Sequence, residues 1–101
     1  MTNALLKKQV VAKLKTINDP ELDVSLYDLG LIYKCDVNNG NIDITMTLTS
    51  IGCPLYETIE QTLKAELKTI KGVKKININL VFDPPWSIDK MTPLGKALLG
   101  F

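Results

Sequence analysis

The stretch that decides the fold is LIYKCDVNNGNIDITMTLT, residues 31–49, which holds two alternating segments around a turn. Strict alternation of apolar and polar side chains is typical of strands with one buried face. Asn-Asn-Gly-Asn at 38–41 supplies the residues that tight hairpin turns prefer. The stretch therefore predicts an antiparallel β-hairpin. Its apolar face would carry Leu31, Tyr33, Cys35, Val37, Ile42, Ile44, Met46 and Leu48.

After this hairpin the spacing of the apolar residues changes from alternation to a helical period. From Pro54 onward, Leu55, Ile59 and Leu63 recur at helical spacing, and Gly72 is suited to end the helix. Residues 73–83, VKKININLVFD, alternate again and predict a third strand. Its core-facing side chains would be Ile76, Ile78, Leu80 and Phe82. A helical connection between two strands of one sheet favours a parallel pair, so the second and third strands are predicted to be parallel.

The remaining segments complete the predicted order. Residues 3–16 have the pattern of an amphipathic helix, and a short helix over 91–101 is weakened by Pro93 and Gly95. Between the first helix and the hairpin, Asp19-Pro20 is typical of a helix start, so one or two short helical turns are expected. The prediction is a single α+β (α/β) domain over residues 1–101. It has a small mixed three-stranded sheet with two main helices packed on one face, in the order α-β-β-α-β-(short α).

The composition excludes several classes of function. All 12 basic residues are lysines and 11 residues are acidic, so the net charge is +1 and no arginine can bind phosphate or guanine in bidentate fashion. No apolar run is long enough to span a membrane. Two cysteines and no histidine do not form a disulfide framework or a closed zinc site. We therefore expect a reduced cytoplasmic protein that binds neither nucleic acid nor membrane.

Cys53 falls at or next to the predicted N-cap of the second helix. Unpaired N–H groups and the helix dipole lower the pKa of a thiol there and favour the thiolate. Pro54 suits the first helical position, and Gly52 lets the backbone approach a ligand. Two interpretations stay open, a functional thiolate or a small apolar residue at the cap. Cys35 lies in the apolar phase of the first strand and is interpreted as an inert core residue.

The missing histidine argues against a thiol enzyme, because a nucleophilic Cys53 would lack the base that such enzymes most often use. A complete metal site within one chain also lacks ligands, since one thiolate and scattered carboxylates fall short of the usual set. A thiolate that shares a soft metal or a cluster with a partner needs no such set. The residues favour a protein that is not an enzyme.

Three segments carry a family resemblance: DPELDVSLYDLGLIY at 19–33, MTLTSIGCPL at 46–55 and FDPPWSIDKM at 82–91. Together they resemble the SufT/PaaD-like family of iron–sulfur cluster assembly proteins, also known as domain of unknown function 59. The cysteine-rich extension of the phenylacetate-pathway branch is missing, so the chain is similar to the stand-alone SufT-type branch. The resemblance implies a maturation factor that acts as carrier, scaffold or adaptor for delivery to client apoproteins.

The resemblance also implies a set of site residues. Cys53 matches the family's candidate functional thiol, and it would be a shared ligand for a transient iron or iron–sulfur cluster. The implied partners are iron–sulfur carrier and client proteins, and a symmetric homodimer would bring two Cys53 thiolates into play. The supporting positions are Asp19, Glu21, Thr47, Thr49, Pro54 and Trp86, to which Gly52 is added from its place beside the cysteine.

Read from physical chemistry alone, these supporting residues have structural roles as well. The acids fit helix caps or cluster neighbours, the threonines fit a strand surface, and Trp86 fits a packing residue held by adjacent prolines. Asp23 stands where a proline is common in the family. The tail after Met91 lacks the acidic, helix-forming run of many relatives, which leaves the last helix and its partner open. The alternatives are an adaptor that only binds proteins, with Cys53 incidental, and a cysteine-dependent enzyme.

Overall fold

The structure, a computed structural model, describes residues 2–20, 22–49 and 56–100. Within these ranges the predicted order of helices and strands is confirmed, and the last helix is present. The elements are α1 (Asn3–Leu14), β1 (Ile32–Asn38), β2 (Asn41–Met46), α2 (Tyr56–Lys68), β3 (Lys75–Leu80), a 3-10 turn (Ile88–Lys90) and α3 (Pro93–Leu99).

The sheet has the order β1-β2-β3, with β2 in the centre. β1 and β2 are antiparallel, and they are joined by a two-residue turn in which Asn39 (φ 51°) and Gly40 (φ 85°) both adopt left-handed backbone conformations. This is the geometry that hairpin turns with Asn-Gly favour, because it matches the twist of the strands. β2 and β3 run parallel as predicted.

Both long helices pack on the apolar face of this sheet. α1 contacts β1, α2 contacts β3, and the two helices contact each other. Each fully buried aliphatic side chain stabilises the fold by roughly 1.5–3 kcal/mol relative to exposure. The centre of the core is formed by β2 and the two long helices. The central buried residues are Leu6, Val10 and Leu14 of α1, Ile42, Ile44 and Met46 of β2, and Ile59, Leu63 and Leu67 of α2.

The segment before β1 is irregular chain with short turns, as predicted, but the helix start expected at Asp19 is not formed. Asp19 does not begin a helix; its carboxylate accepts a hydrogen bond from the backbone N–H of Leu22 (3.0 Å) within a tight turn. The turn is closed by a bridge between Asn18 and Ser25, and Asp23 adopts a left-handed conformation (φ 54°). An aspartate favours such a turn for the same reason that it caps helices, since its side chain binds nearby backbone N–H groups.

Two further differences concern the C-terminal third of the chain. Phe82 does not face the core: β3 ends at Leu80, and the Phe82 side chain is 38% exposed. α3 is a regular short helix because Pro93 occupies its first turn, where the missing N–H costs nothing. The hydroxyl of Thr92 accepts a hydrogen bond from Gly95 N–H (3.1 Å) and caps the helix.

Candidate functional site

The directions of the strands bring all three motif segments to one edge of the sheet. Ile32, at the start of β1, pairs with Met46 at the end of β2, and Met46 also pairs with Leu80 at the end of β3. The first segment enters β1 at this edge, whereas the second and third leave β2 and β3 there. We call this end of the sheet, where Ile32, Met46 and Leu80 lie at the ends of their strands, the motif edge. Segments that are far apart in the sequence thus meet in one region.

A β-bulge lies at the motif edge. Ile32 pairs with Met46 and Lys34 pairs with Thr45, so that Tyr33 is an extra residue on β1. Bulges re-aim side chains and bend a strand. The Tyr33 hydroxyl donates a hydrogen bond to the carbonyl oxygen of Pro84 (2.8 Å) and so joins the first motif segment to the third. Burial raises the pKa of Tyr33, so the phenol stays protonated at neutral pH.

Thr47 is the most buried polar residue of the edge. Its side chain is 0% exposed, and its backbone N–H donates to the carbonyl oxygen of Leu31 (2.9 Å). The hydroxyl has no hydrogen-bond partner among the described residues. The expectation that Thr47 lies on the strand surface is therefore wrong, because β2 ends at Met46 and Thr47 lies buried just beyond it.

The third motif segment folds back onto the first. The indole Nε1 of Trp86 donates to the carbonyl oxygen of Leu29 (2.6 Å). Thr92 donates twice to Asp28, from its backbone N–H to the carbonyl oxygen (3.0 Å) and from its hydroxyl to the carboxylate (2.7 Å). The same carboxylate accepts from the hydroxyl of Ser25 (2.7 Å). Bonds to an ionised acceptor are among the stronger ones in proteins, so Asp28 fixes the C-terminal segment in place.

Two glycines permit this close approach. Gly30 adopts a left-handed conformation (φ +75°), and a Cβ there would collide with the carbonyl group of Lys90. A Cβ on Gly95 would collide with the carbonyl oxygen of Asp28. Neither backbone could approach so closely if a side chain were present.

An open groove of about 550 Å³ lies where these segments meet. The ammonium group of Lys90 lies 5.0 Å from the ring centre of Tyr33, within the range of a cation–π contact. The groove thus offers one cation and two phenols to a molecule that approaches the motif edge. Its lining residues are Tyr27, Gly30, Ile32, Tyr33, Pro84, Lys90 and Thr92.

The predicted site residues fall into two groups. Cys53, Gly52, Pro54 and Glu21 lie outside the described residues, so the predicted cap position of Cys53 stays a prediction. Along the chain, the segment with Cys53 connects Thr49, just beyond the motif edge, with Tyr56 at the start of α2. The described group consists of Asp19, which is buried in its turn, Thr47, Thr49, which is exposed, and Trp86, which is half-buried.

Three backbone hydrogen bonds connect the turn that holds Asp19 to Thr47. Leu26 N–H donates to Ile17, Leu31 N–H donates to Leu26, and Thr47 N–H donates to Leu31. Asp28 and Thr92 are not among the predicted site residues. The one signal that could have found them is their position, since Asp28 lies within the first motif segment and Thr92 directly follows the third.

Cys35 has the environment expected of a core cysteine. It lies in the middle of β1 opposite Ile44 and is half-buried against the core. Burial raises the pKa of its thiol; Lys7 lowers it, and Asp36 raises it a little further. A thiol with a raised pKa is a weak nucleophile and a weak metal ligand at neutral pH. Across residues 2–20, 22–49 and 56–100, no group of three His, Cys, Asp or Glu side chains is placed to hold a metal ion.

Comparison with known proteins points to one family. The family described as "Iron-sulfur cluster assembly protein" matches residues 7–80. The chain is 40% identical to an "Fe-S protein maturation auxiliary factor" of Porphyromonas gingivalis, over 100% of this chain and 99% of the relative. It is 42% identical to the "Fe-S protein maturation auxiliary factor YitW" of Bacillus subtilis, over 94% of each.

A solved structure shows the same fold. The "Domain of Unknown Function DUF59 from Bacillus anthracis" superposes with a TM-score of 0.92 at 39% sequence identity, over 98% of this chain and 95% of that one. The α+β prediction and the predicted family are thus confirmed. Among the described helices, none is long and apolar enough to cross a membrane.

Proposed function

Because the chain belongs to the iron–sulfur cluster assembly protein family, we propose that it is an auxiliary factor in the maturation of iron–sulfur proteins. The observation that carries this proposal is the similarity, over nearly the full length of both chains, to two maturation auxiliary factors. The convergence of three motif segments at the motif edge supports it, since a binding surface needs residues from separate parts of the chain on one rigid frame.

Within this function we assign Cys53 the role of a transient ligand for iron or an iron–sulfur cluster, which is the cargo. Cys35 is unsuited to that role because burial raises the pKa of its thiol, and the chain has no histidine. One thiolate leaves most coordination positions of iron to other molecules. Those ligands would come from a carrier, a client apoprotein or a second copy of this chain. Transfer is then a ligand exchange, in which thiolates of the client replace Cys53.

The partners that fit this role are iron–sulfur carrier and client proteins in the cytoplasm. The chain would act stoichiometrically on each client rather than as an enzyme with turnover, because it offers no imidazole base beside a nucleophile. The groove beside Lys90 and Tyr33 adjoins the motif edge, and it is the surface against which we expect a client to lie.

A specific observation favours a second candidate, an adaptor that only binds proteins. Leu94 and Leu98 lie one turn apart on α3 and are 58% and 61% exposed. Contiguous exposed apolar surface marks protein–protein contact sites, and this helix is held in place by its cap at Thr92. In this case α3 would hold the partner and Cys53 would be incidental.

The two candidates are separated by rescue of iron–sulfur enzyme activity in a strain that lacks the gene. Cys53→Ser should abolish rescue if the thiolate carries the cargo, while the matched control Cys35→Ser should retain it. Full rescue by Cys53→Ser together with loss of rescue in Leu94→Ser/Leu98→Ser would replace the carrier by the adaptor. Protein levels are measured in each strain so that loss of folding is not mistaken for loss of function.

A further inference from the structure

The two outer strands of the sheet differ in how their free edges are protected. β1 carries the bulge at Tyr33 and an exposed ion pair between Lys34 and Asp36 (3.4 Å). Bulges and charges are devices that keep an edge strand from pairing with another chain. β3 has no bulge, and its one charged residue, Lys75, lies at its start; residues 76–80, Ile-Asn-Ile-Asn-Leu, contain no charge and no proline.

The backbone of β3 presents a set of free groups at this edge. Lys75 N–H donates to Gly40 and Val81 N–H donates to Met46, so the odd-numbered residues of β3 direct their backbone groups toward β2. Backbone groups alternate in direction along a strand. The N–H and C=O groups of Ile76, Ile78 and Leu80 therefore point outward, and no described residue outside the sheet hydrogen-bonds to them.

The side chains beside this edge are incompletely covered. On β2, Ile44 and Met46 are 0% exposed, whereas Ile78 and Leu80 on the same face of β3 are only half-buried. A free backbone edge next to half-buried aliphatic side chains is the combination to which an added strand would contribute both hydrogen bonds and apolar burial.

We propose that this edge pairs with β3 of a second copy of the chain, antiparallel and centred on Ile78. In such a pair, residues that face each other across the edge exchange both backbone hydrogen bonds. With Ile78 on the two-fold axis, Ile76 lies opposite Leu80 of the second copy, and every outward-pointing group of these three residues finds a partner. Each of these three residues on each copy contributes one N–H and one C=O to the pairing. The two three-stranded sheets then join into one continuous six-stranded sheet.

The side chains agree with this register on both faces. Ile78 meets Ile78, and Ile76 meets Leu80, on the apolar face. On the polar face the exposed amides of Asn77 and Asn79 lie opposite each other, which pairs donors with acceptors. Lys75, the charged residue of β3, lies opposite the uncharged Val81, so no like charges oppose. A register shifted by one residue would set apolar side chains opposite polar ones.

This dimer goes beyond the proposed function and does not rest on it. Because the two copies of β3 run in opposite directions, the two motif edges lie at opposite ends of the combined sheet. The dimer therefore presents two separate motif edges, and it is distinct from a dimer joined by a shared cluster.

Two charge variants with the same first substitution test the proposal. Asn77→Lys should be tolerated in the monomer, since Asn77 already bonds to the Asp43 carboxylate across β2 (3.0 Å). Asn77→Lys/Asn79→Lys places like charges opposite each other twice across the proposed interface, whereas Asn77→Lys/Asn79→Glu places opposite charges there. We expect the dimer dissociation constant to rise about tenfold or more in the first variant and to hold or fall in the second.

The measurement is sedimentation equilibrium over a range of concentrations, combined with amide hydrogen exchange. The expected result is a wild-type dimer in which the amides of Ile76, Ile78 and Leu80 gain protection as the concentration rises. A monomer at every concentration up to about 1 mM, where only very weak contacts persist, would overturn the proposal. So would a dimer whose concentration-dependent protection lies elsewhere, or protection of these amides by a client protein alone. Circular dichroism of both variants tests whether each monomer is folded.

Discussion

Thr47 gives the sharpest prediction about the motif edge, because its buried hydroxyl is without a partner among the described residues. A buried hydroxyl that lacks a hydrogen bond costs about 1–3 kcal/mol. Thr47→Val replaces it by a methyl group of similar size. We therefore expect the variant to raise the free energy of unfolding by about 1 kcal/mol, which corresponds to a rise in Tm of about 4–8 °C for a chain of this length.

The assay is thermal and urea unfolding followed by circular dichroism. Thr49→Val is the matched control, because Thr49 is exposed and its replacement should change stability by less than about 0.5 kcal/mol.

A Thr47→Val variant that unfolds at a lower temperature than the wild type by a similar margin would refute this reasoning. It would mean that the hydroxyl makes a stabilising hydrogen bond in the folded chain. If the hydroxyl is instead kept for binding at the motif edge, the variant is more stable yet rescues iron–sulfur enzymes less well. That opposite movement of stability and function is the signature of a binding group kept at a cost in stability.

The other predictions concern the anchors of the C-terminal segment and a tyrosine of α2. Trp86→Phe removes the donor to the buried Leu29 carbonyl and should cost about 1–3 kcal/mol in urea unfolding; an unchanged midpoint would contradict the bond. Gly95→Ala should lower the Tm because its Cβ meets the Asp28 carbonyl, and a neutral result would show that α3 can move away. Burial, and then the Glu60 carboxylate, raise the pKa of Tyr56 from 10.0 to about 12, so the folded state holds this proton more tightly. The stability that this group contributes is complete below pH 10 and is lost as pH rises toward 12. Across that window the free energy of unfolding should fall less steeply with pH in Tyr56→Phe than in the wild type. Equal slopes would contradict the shift.

The hairpin and the crossover could be predicted because they rest on local signals. Alternation in residues 31–49, the Asn39-Gly40 turn and the helical period of α2 are each set by neighbouring residues. The parallel pairing of β2 and β3 followed from the helix between them, since a crossover of this kind returns the chain to the same end of the sheet.

Local sequence signals could not predict the turn at Asp19 or the position of Phe82. A capping residue before proline is compatible with both a helix start and a tight turn, and tertiary closure by the Asn18–Ser25 bridge decided between them. Alternation predicted that Phe82 faces the core, yet strand pairing ends two residues earlier, at Leu80. Periodicity carries no information about where pairing stops.

The network around Asp28 was beyond sequence reasoning for a different reason. Thr92 is 64 residues away in the chain, and nothing in the local pattern of either residue predicts their contact. The motif segments predicted which parts of the chain form the candidate site. Their meeting at one edge became apparent only once the strand directions were known.

The most direct test of the proposed carrier role is anaerobic titration of the wild-type protein, Cys53→Ser and Cys35→Ser with iron and sulfide. The binding is followed by absorbance and by molar mass, and an apoprotein client is then added. We predict that the wild type and Cys35→Ser take up iron or a cluster and transfer it to the client, and that Cys53→Ser does neither. Equal uptake and transfer by Cys53→Ser, or no uptake by any of the three proteins, would contradict the role assigned to Cys53.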